Sequence, residues 1–261
     1  MLQFGKIAIV GAGNVAYTLC NLLRSKGIEP YCMLVRNPEK AAQVHDELKV
    51  EAVSDYKKVL EADLTIIAVN DDAISDVASH LVDYKGLVVH TSGTKSSELL
   101  NRTMRYGVFY PLQTMSKNRT VQFDEIPLLI YANSPDDVEL LSRFAKQFSK
   151  KVVFCDDDQR KAIHLSAVYV SNFTNVMLGI GDKLLKNNGL DLEIMKPLVK
   201  EMVEKSFEVS PDKALTGPAR RGDFATIGEH EQMLADNPDE LAIYMILTDY
   251  IIEKYSKDEK L

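Results

Sequence analysis

The stretch "KIAIVGAGNVAYTLCNLL", Lys6–Leu23, decides how the chain is read. Ile7 to Val10 form a continuous apolar run, the pattern of a strand buried on both faces. From Asn14 onward the apolar residues recur at helical spacing. Between the two lies Gly11-x-Gly13-x-x-Ala16. A glycine in the first position permits a tight turn, and one in the second lets the backbone approach a pyrophosphate. A small third residue allows close packing of helix on strand. The first N–H groups of the helix have no partners within it and face an anion placed there. The spacing therefore predicts a dinucleotide site at Gly11, Gly13, Asn14 and Val15.

Working outward, short aliphatic runs alternate with helical segments up to about Cys155: "KIAIV", "PYCMLV", "LTIIAV", "GLVVH", "GVFY", "PLLIYA" and "KVVFC". This alternation predicts an α/β, doubly wound, mostly parallel sheet of the Rossmann type over residues 1–156. Asn37-Pro38 and Ser134-Pro135 mark helix starts. Beyond "CDDDQR" the period becomes helical, and residues 157–261 are expected to form an all-helical domain. Its expected helices are Gln159–Asn188, Leu192–Val209, Asp223–Leu234 and Pro238 to about Tyr255.

The composition is that of a globular chain, with 46% hydrophobic and 26% charged residues. A net charge of -7 and the lack of a basic stripe argue against nucleic acid as a partner. No long apolar run or signal-peptide pattern is present, so the expected location is cytoplasmic, with no membrane partner. Cys20, Cys32 and Cys155 lie far apart in apolar stretches and read as reduced core thiols, with no metal-ligand spacing.

Ligands of parallel sheets bind beyond the carboxyl ends of the strands, so those ends supply further candidates. The second strand ends in Arg36-Asn37 where an NAD site would place an acid, and Glu29 lies at the wrong end of that strand. Arg36, helped by Lys40, can form a charge-assisted fork on a 2'-phosphate, which predicts NADP as the cofactor. "IIAVNDDAI" contributes Ala68, Val69 and Asn70, with Asp71 and Asp72 beside them. "VVHTSGTKS" contributes His90, Thr91, Ser92 and Gly93 as a further wall. Tyr110-Pro111 either lines the nicotinamide and substrate end or makes a rigid turn with a packed tyrosine.

The segments "VVHTSGTKSSELL", "YGVFYPLQT", "KAIHLSAVYVSNF" and "ALTGPARRGDFATIGEHEQML" resemble, in that order, a family of Rossmann-like candidate NADP oxidoreductases with a helical C-terminal domain of unknown function. More distantly the layout is similar to pyrroline-5-carboxylate reductase, ketopantoate reductase, the β-hydroxyacid dehydrogenases and the deazaflavin-dependent NADP reductases. The resemblance implies NADP binding and a homodimer formed through the helices. The broad apolar face of the last helix also points to a covering partner.

In ketopantoate reductase and the β-hydroxyacid dehydrogenases, a lysine four residues before an asparagine acts as general acid. Here the asparagine matches at Asn172, but the lysine position is Val168. His164, eight residues before Asn172, is the nearest candidate for proton transfer, with a histidine packed at the domain junction as the other reading. Thr216 and Arg221, in "LTGPARRGD", either meet an anionic substrate or serve structurally, Arg221 pairing with Asp223. His230 reads as a surface histidine.

The expected function is an NADPH-dependent oxidoreductase acting on an unidentified small molecule in the interdomain cleft. The rival is an NADP(H)-binding sensor or scaffold that transfers no hydride. Reduction of a deazaflavin-like carrier is a third option.

Overall fold

The computed structural model describes residues 4–117 and 122–255. The chain forms two compact units, Met1–Val170 and Ser171–Leu261. In the first, the strands are β1 (Ile7–Val10), β2 (Cys32–Leu34), β3 (Ala52–Val53), β4 (Leu64–Ile67), β5 (Leu87–His90), β6 (Tyr106–Pro111), β7 (Leu128–Ala132) and β8 (Val152–Phe154). They build one sheet in the order β3-β2-β1-β4-β5-β6-β7-β8. All neighbours run parallel except β6 and β7, which pair antiparallel from Gly107↔Ala132 to Pro111↔Leu128. The order turns back at β1, whose partners are β2 and β4, and this is where a doubly wound sheet opens its ligand crevice.

The helices of this unit are α1 (Asn14–Ser25), α2 (Pro38–Leu48), α3 (Ile74–Ser79), α4 (Pro135–Ala145) and α5 (Asp157–Ala167). Residues alternate between two cores along each strand. Ile7 and Ile9 join Leu19, Leu64 and Phe144 on one face, while Ala8 and Val10 join Val77, Leu81 and Val88 on the other. Asn37 caps α2 by accepting from Lys40 N at 2.9 Å, and Ser134 caps α4 by accepting from Asp137 N at 3.2 Å. Asp156 and Gln159 form a reciprocal capping box on α5.

In the second unit, α6 (Thr174–Lys186) is followed by a 3₁₀ turn at Leu192–Met195 and then α7 (Lys196–Val209), α8 (Pro211–Ala214), α9 (Pro218–Arg221), α10 (Phe224–Met233) and α11 (Pro238–Tyr255). Among its described residues only Ile227, Leu234, Thr248 and Tyr255 are buried.

Two features depart from the sequence reading. The sheet has an edge strand, β3, whose two residues are too few to show any period. The helix expected over Gln159–Asn188 is interrupted by a π-helical turn, Val168–Phe173, that separates α5 from α6. The strands end at Phe154, yet the first compact unit continues through α5 to Val170.

Candidate functional site

The turn after β1 is built around Gly11, whose φ is +123°. A Cβ there would stand 2.2 Å from the carbonyl oxygen of Ala68, so the position excludes every residue with a side chain. The next helix starts at an extended Gly13, with no side-chain cap and no acid in its first turn. Its leading N–H groups are therefore left to an anion. Among the described residues, nothing lies within 4 Å of a Cβ placed on Gly13. A cavity of about 280 Å³ opens here, lined by Gly11, Gly13, Arg36, Asn37, Lys40, Ala68, Val69 and Asn70, with Ala73 and Val77 on its wall. The first eight of these are residues expected from the glycine turn and the strand ends; Asn14, Val15, Thr91, Ser92 and Gly93 lie outside its lining.

Asn37 contributes from its place as the α2 cap. Arg36 is held by Asp76 of α3, a partner 40 positions away with no local signal, at 2.9 Å between Nη1 and Oδ2. Both side chains are at least half exposed, and the pair leaves the guanidinium beside the cavity. Glu29 pairs with Arg24 at 2.8 Å instead, away from this lining.

The turn after β5 is tied to the turn after β4. Thr91 Oγ1 donates to Ile67 O at 3.3 Å, Thr94 Oγ1 donates to Asp71 Oδ2 at 2.8 Å, and Lys95 pairs with Asp72 at 3.3 Å. Asp71 and Asp72 thus brace loops. The Ser92 hydroxyl accepts from Thr94 N at 3.2 Å and Lys95 N at 3.0 Å, which shapes the turn around Gly93. His90, read as part of a binding wall, is instead completely buried. It shares the strand face of Val88, which packs under the helices, and its Nδ1 accepts from Ser92 N at 3.1 Å. Burial, reinforced by the nearby Arg160 charge, pulls its pKa down to about 4, so the ring is neutral.

Gly93, Tyr110 and His164 meet. Tyr110 Oη and His164 Nδ1 lie 3.0 Å apart, and either atom can hold the shared proton, according to the imidazole tautomer. A Cβ on Gly93 would stand 2.4 Å from His164 Nδ1 and 3.0 Å from Tyr110 Cζ, so the missing side chain is the space the pair occupies. Because β6 runs parallel to β5, Tyr110 emerges at the same sheet edge as Gly93. Burial, partly offset by Arg160, raises the Tyr110 pKa and keeps its hydroxyl protonated. Val168 opens the π-helical turn, and Asn172 lies exposed within it. Such turns recur at functional sites.

Two residues that sequence reasoning missed hold this corner. Arg160, fully buried on α5, donates Nε to Ser92 O at 3.1 Å and Nη2 to Lys95 O and to Asp157 Oδ1, the last at 2.8 Å. Their only sequence mark is an acid and an arginine three apart at a capped helix start.

In the helical unit, Thr216 lines an apolar cavity of about 320 Å³ with residues of α6, α10 and α11. Arg221 pairs loosely with Asp223 at 3.9 Å, and Asp223 caps α10 through Thr226 N at 3.2 Å. His230 is a correction. Helical spacing puts it on the face of Ile227 and Leu234, where it lines the same cavity and its Nδ1 lies 2.9 Å from Tyr244 Oη.

Residues 6–92 match the family described as NADP oxidoreductase, coenzyme F420-dependent, and residues 126–251 match a domain of unknown function, DUF2520. No curated protein matches the chain. A solved structure of a candidate NADP oxidoreductase from Bacteroides fragilis is 36% identical over 97% of this chain and 100% of its own, with a TM-score of 0.88. A pyrroline-5-carboxylate reductase from Coxiella burnetii shares the fold at 17% identity and a TM-score of 0.60, covering 97% of each chain. So does an imine reductase from Myxococcus stipitatus, solved with NADP+, at 14% identity and a TM-score of 0.63, covering 98% of this chain and 94% of its own. The fold is that of the NAD(P)-dependent oxidoreductases. With this glycine turn, this sheet and this helical region, the chain belongs to the family of Rossmann-like candidate NADP oxidoreductases that carry the DUF2520 domain at their C-terminus.

Proposed function

We propose that the protein is an NADPH-dependent oxidoreductase of a small molecule, with Tyr110 and His164 as its proton-transfer pair. The observation that carries this reading is the 3.0 Å contact between Tyr110 Oη and His164 Nδ1, seated on Gly93 at the sheet edge that also holds the glycine turn. The cradle fits a dinucleotide. Gly11, Gly13 and the first N–H groups of α1 would hold the pyrophosphate, Arg36 and Lys40 the 2'-phosphate, and Ala68, Val69 and Asn70 the adjoining wall. NADPH, when bound, supplies a hydride.

The remaining requirement of a reduction at carbon is a proton for the neighbouring heteroatom, and the chain's own residues meet it. Tyr110 Oη, kept protonated by burial, donates its proton. His164 Nδ1, beside it, restores that proton to the phenol oxygen. In the oxidative direction the same atoms accept it.

The sensor reading draws on Val168, which stands where distant relatives of the layout have a lysine. The two separate in one assay. NADPH is mixed with panels of cyclic imines, 2-oxoacids and a deazaflavin, and absorbance at 340 nm is followed. Tyr110→Phe and His164→Ala should each slow the reduced member by about 100-fold or more, the usual scale of general acid–base catalysis. Tight NADPH binding with no oxidation by any panel member would favour the sensor.

The same proposal includes a homodimer assembled through the helical unit. Its support is the apolar surface of that unit, where Phe207, Phe224, Leu198, Ile246 and Tyr250 are all exposed.

A further inference from the structure

We propose that Arg160 is a positioning residue, which sets His164 against Tyr110 by fastening α5 to the turn after β5. The inference rests on the proton-transfer reading of that pair. Arg160 precedes His164 by one helical turn, so the two side chains leave the same face of α5. The guanidinium grips both ends of the turn, through Ser92 O on one side of Gly93 and Lys95 O on the other. Asp157, itself bound to Arg160, extends the grip by accepting from Ser96 Oγ and from Ser97 N at 2.9 Å. Gly93 lies inside the clamped segment, and the space above it is filled by the imidazole. Turn and ring therefore have one mutual position, and Arg160 determines it.

Stability alone is a weak account of this arginine. Its side chain is wholly buried, and among the described residues Nη1 has no hydrogen-bond partner. A buried charge with an unmet donor is costly, and well-packed apolar residues commonly replace such pairs without loss. The same guanidinium also favours negative charge on Tyr110, against the larger effect of burial.

The test reads the imidazole directly, with no substrate needed. The full chain is labelled with ¹⁵N-histidine, and His164 is assigned by the signal lost in His164→Gln. Wild-type His164 should show one fixed tautomer with a hydrogen-bonded Nδ1. Arg160→Gln and Asp157→Asn should each collapse this to the averaged shifts of a free imidazole, and Arg160→Lys, which keeps the charge and its donors on a single nitrogen, should restore part of it. Gly93→Ala, which crowds the ring while leaving the clamp intact, should produce the same loss. A melting temperature that falls while His164 keeps its fixed tautomer in every folded variant overturns the proposal and makes Arg160 purely structural. If Arg160→Gln does not fold, Asp157→Asn decides alone. The panel assay of Tyr110→Phe and His164→Ala tests the proton-transfer reading separately, so a failure there is distinct from a failure of the clamp, which the tautomer alone reports.

Discussion

In the α/β unit, Ile7, Ile9, Leu64 and Ile66 are all at least 99% buried, whereas in the helical unit Phe207 is 89% exposed and Ile246, midway along α11, is 68% exposed. Both units are rich in large apolar residues; the first buries most of its own, though Met104, Phe154 and Leu165 stay exposed, whereas the second leaves most of its own exposed. A buried Leu, Ile or Phe contributes about 1.5–3 kcal/mol relative to an exposed one, so the helical unit leaves much of its stabilisation unrealised as a lone copy. The difference separates two tasks. The sheet is a platform that carries the glycine turn and the Tyr110–His164 pair on a covered core, and the exposed helical faces are the surface on which the proposed homodimer would form.

The harshest way to break that contrast is Ile246→Glu. An uncompensated charge in a covered interface costs about 3–5 kcal/mol, so the dimer dissociation constant should rise by at least roughly a hundredfold. Light scattering should then give a monomer mass, while NADPH binding should survive, because the proposed cradle lies wholly in the α/β unit. A wild-type monomer at micromolar concentration would end the argument. His90 sharpens the other side. Its folded pKa of about 4 lies below the ordinary 6.5, so the unfolded chain takes up a proton first as the pH falls. The stability it contributes is complete above about pH 6.5 and is lost as the pH drops towards 4, by roughly 3 kcal/mol. Urea unfolding across that window should show a shallower loss for His90→Asn, which keeps an acceptor for Ser92 N and does not titrate.

Effects confined to the cradle are smaller. Gly11→Val adds left-handed strain and a clash with Ala68, and fluorescence titration should show NADPH affinity down by about a hundredfold, or 2.7 kcal/mol. Arg36→Ala should remove the preference for NADPH over NADH, which one charge-assisted contact sets at about tenfold or more. Asp76→Asn frees Arg36 and should widen that preference by a few-fold; equal NADPH and NADH dissociation constants in the wild type, by calorimetry, would remove both expectations.

The platform was legible in the sequence because its signals are local. "IAIV" and "LTII" are apolar throughout, since helices cover both faces, and Gly11 and Gly13 sit at a spacing that only a strand-to-helix turn explains. The two residues of β3 carry no such signal, and a π-helical turn differs from an α-helix by one residue of hydrogen-bond register, which composition does not report. Tyr110 and His164 were each singled out, but their contact spans 54 positions and exists only through the strand order. His90 misled because a strand end fixes the edge of the sheet and leaves the face to period-two alternation. Arg160 escaped notice because arginine is rarely buried, so nothing in "DDDQRKA" marks it as interior.

The cysteines give the platform a built-in reporter. Cys20, Cys32 and Cys155 are the chain's only thiols, all free, buried and within the α/β unit. Burial raises all three pKa values, those of Cys20 and Cys32 to about 11, so few are thiolates at neutral pH and alkylating reagents must wait for the sheet to open. The rate of thiol labelling in native buffer therefore measures how often the α/β unit opens, with no contribution from the helices, and ligands that brace the platform can be ranked by how far they slow it.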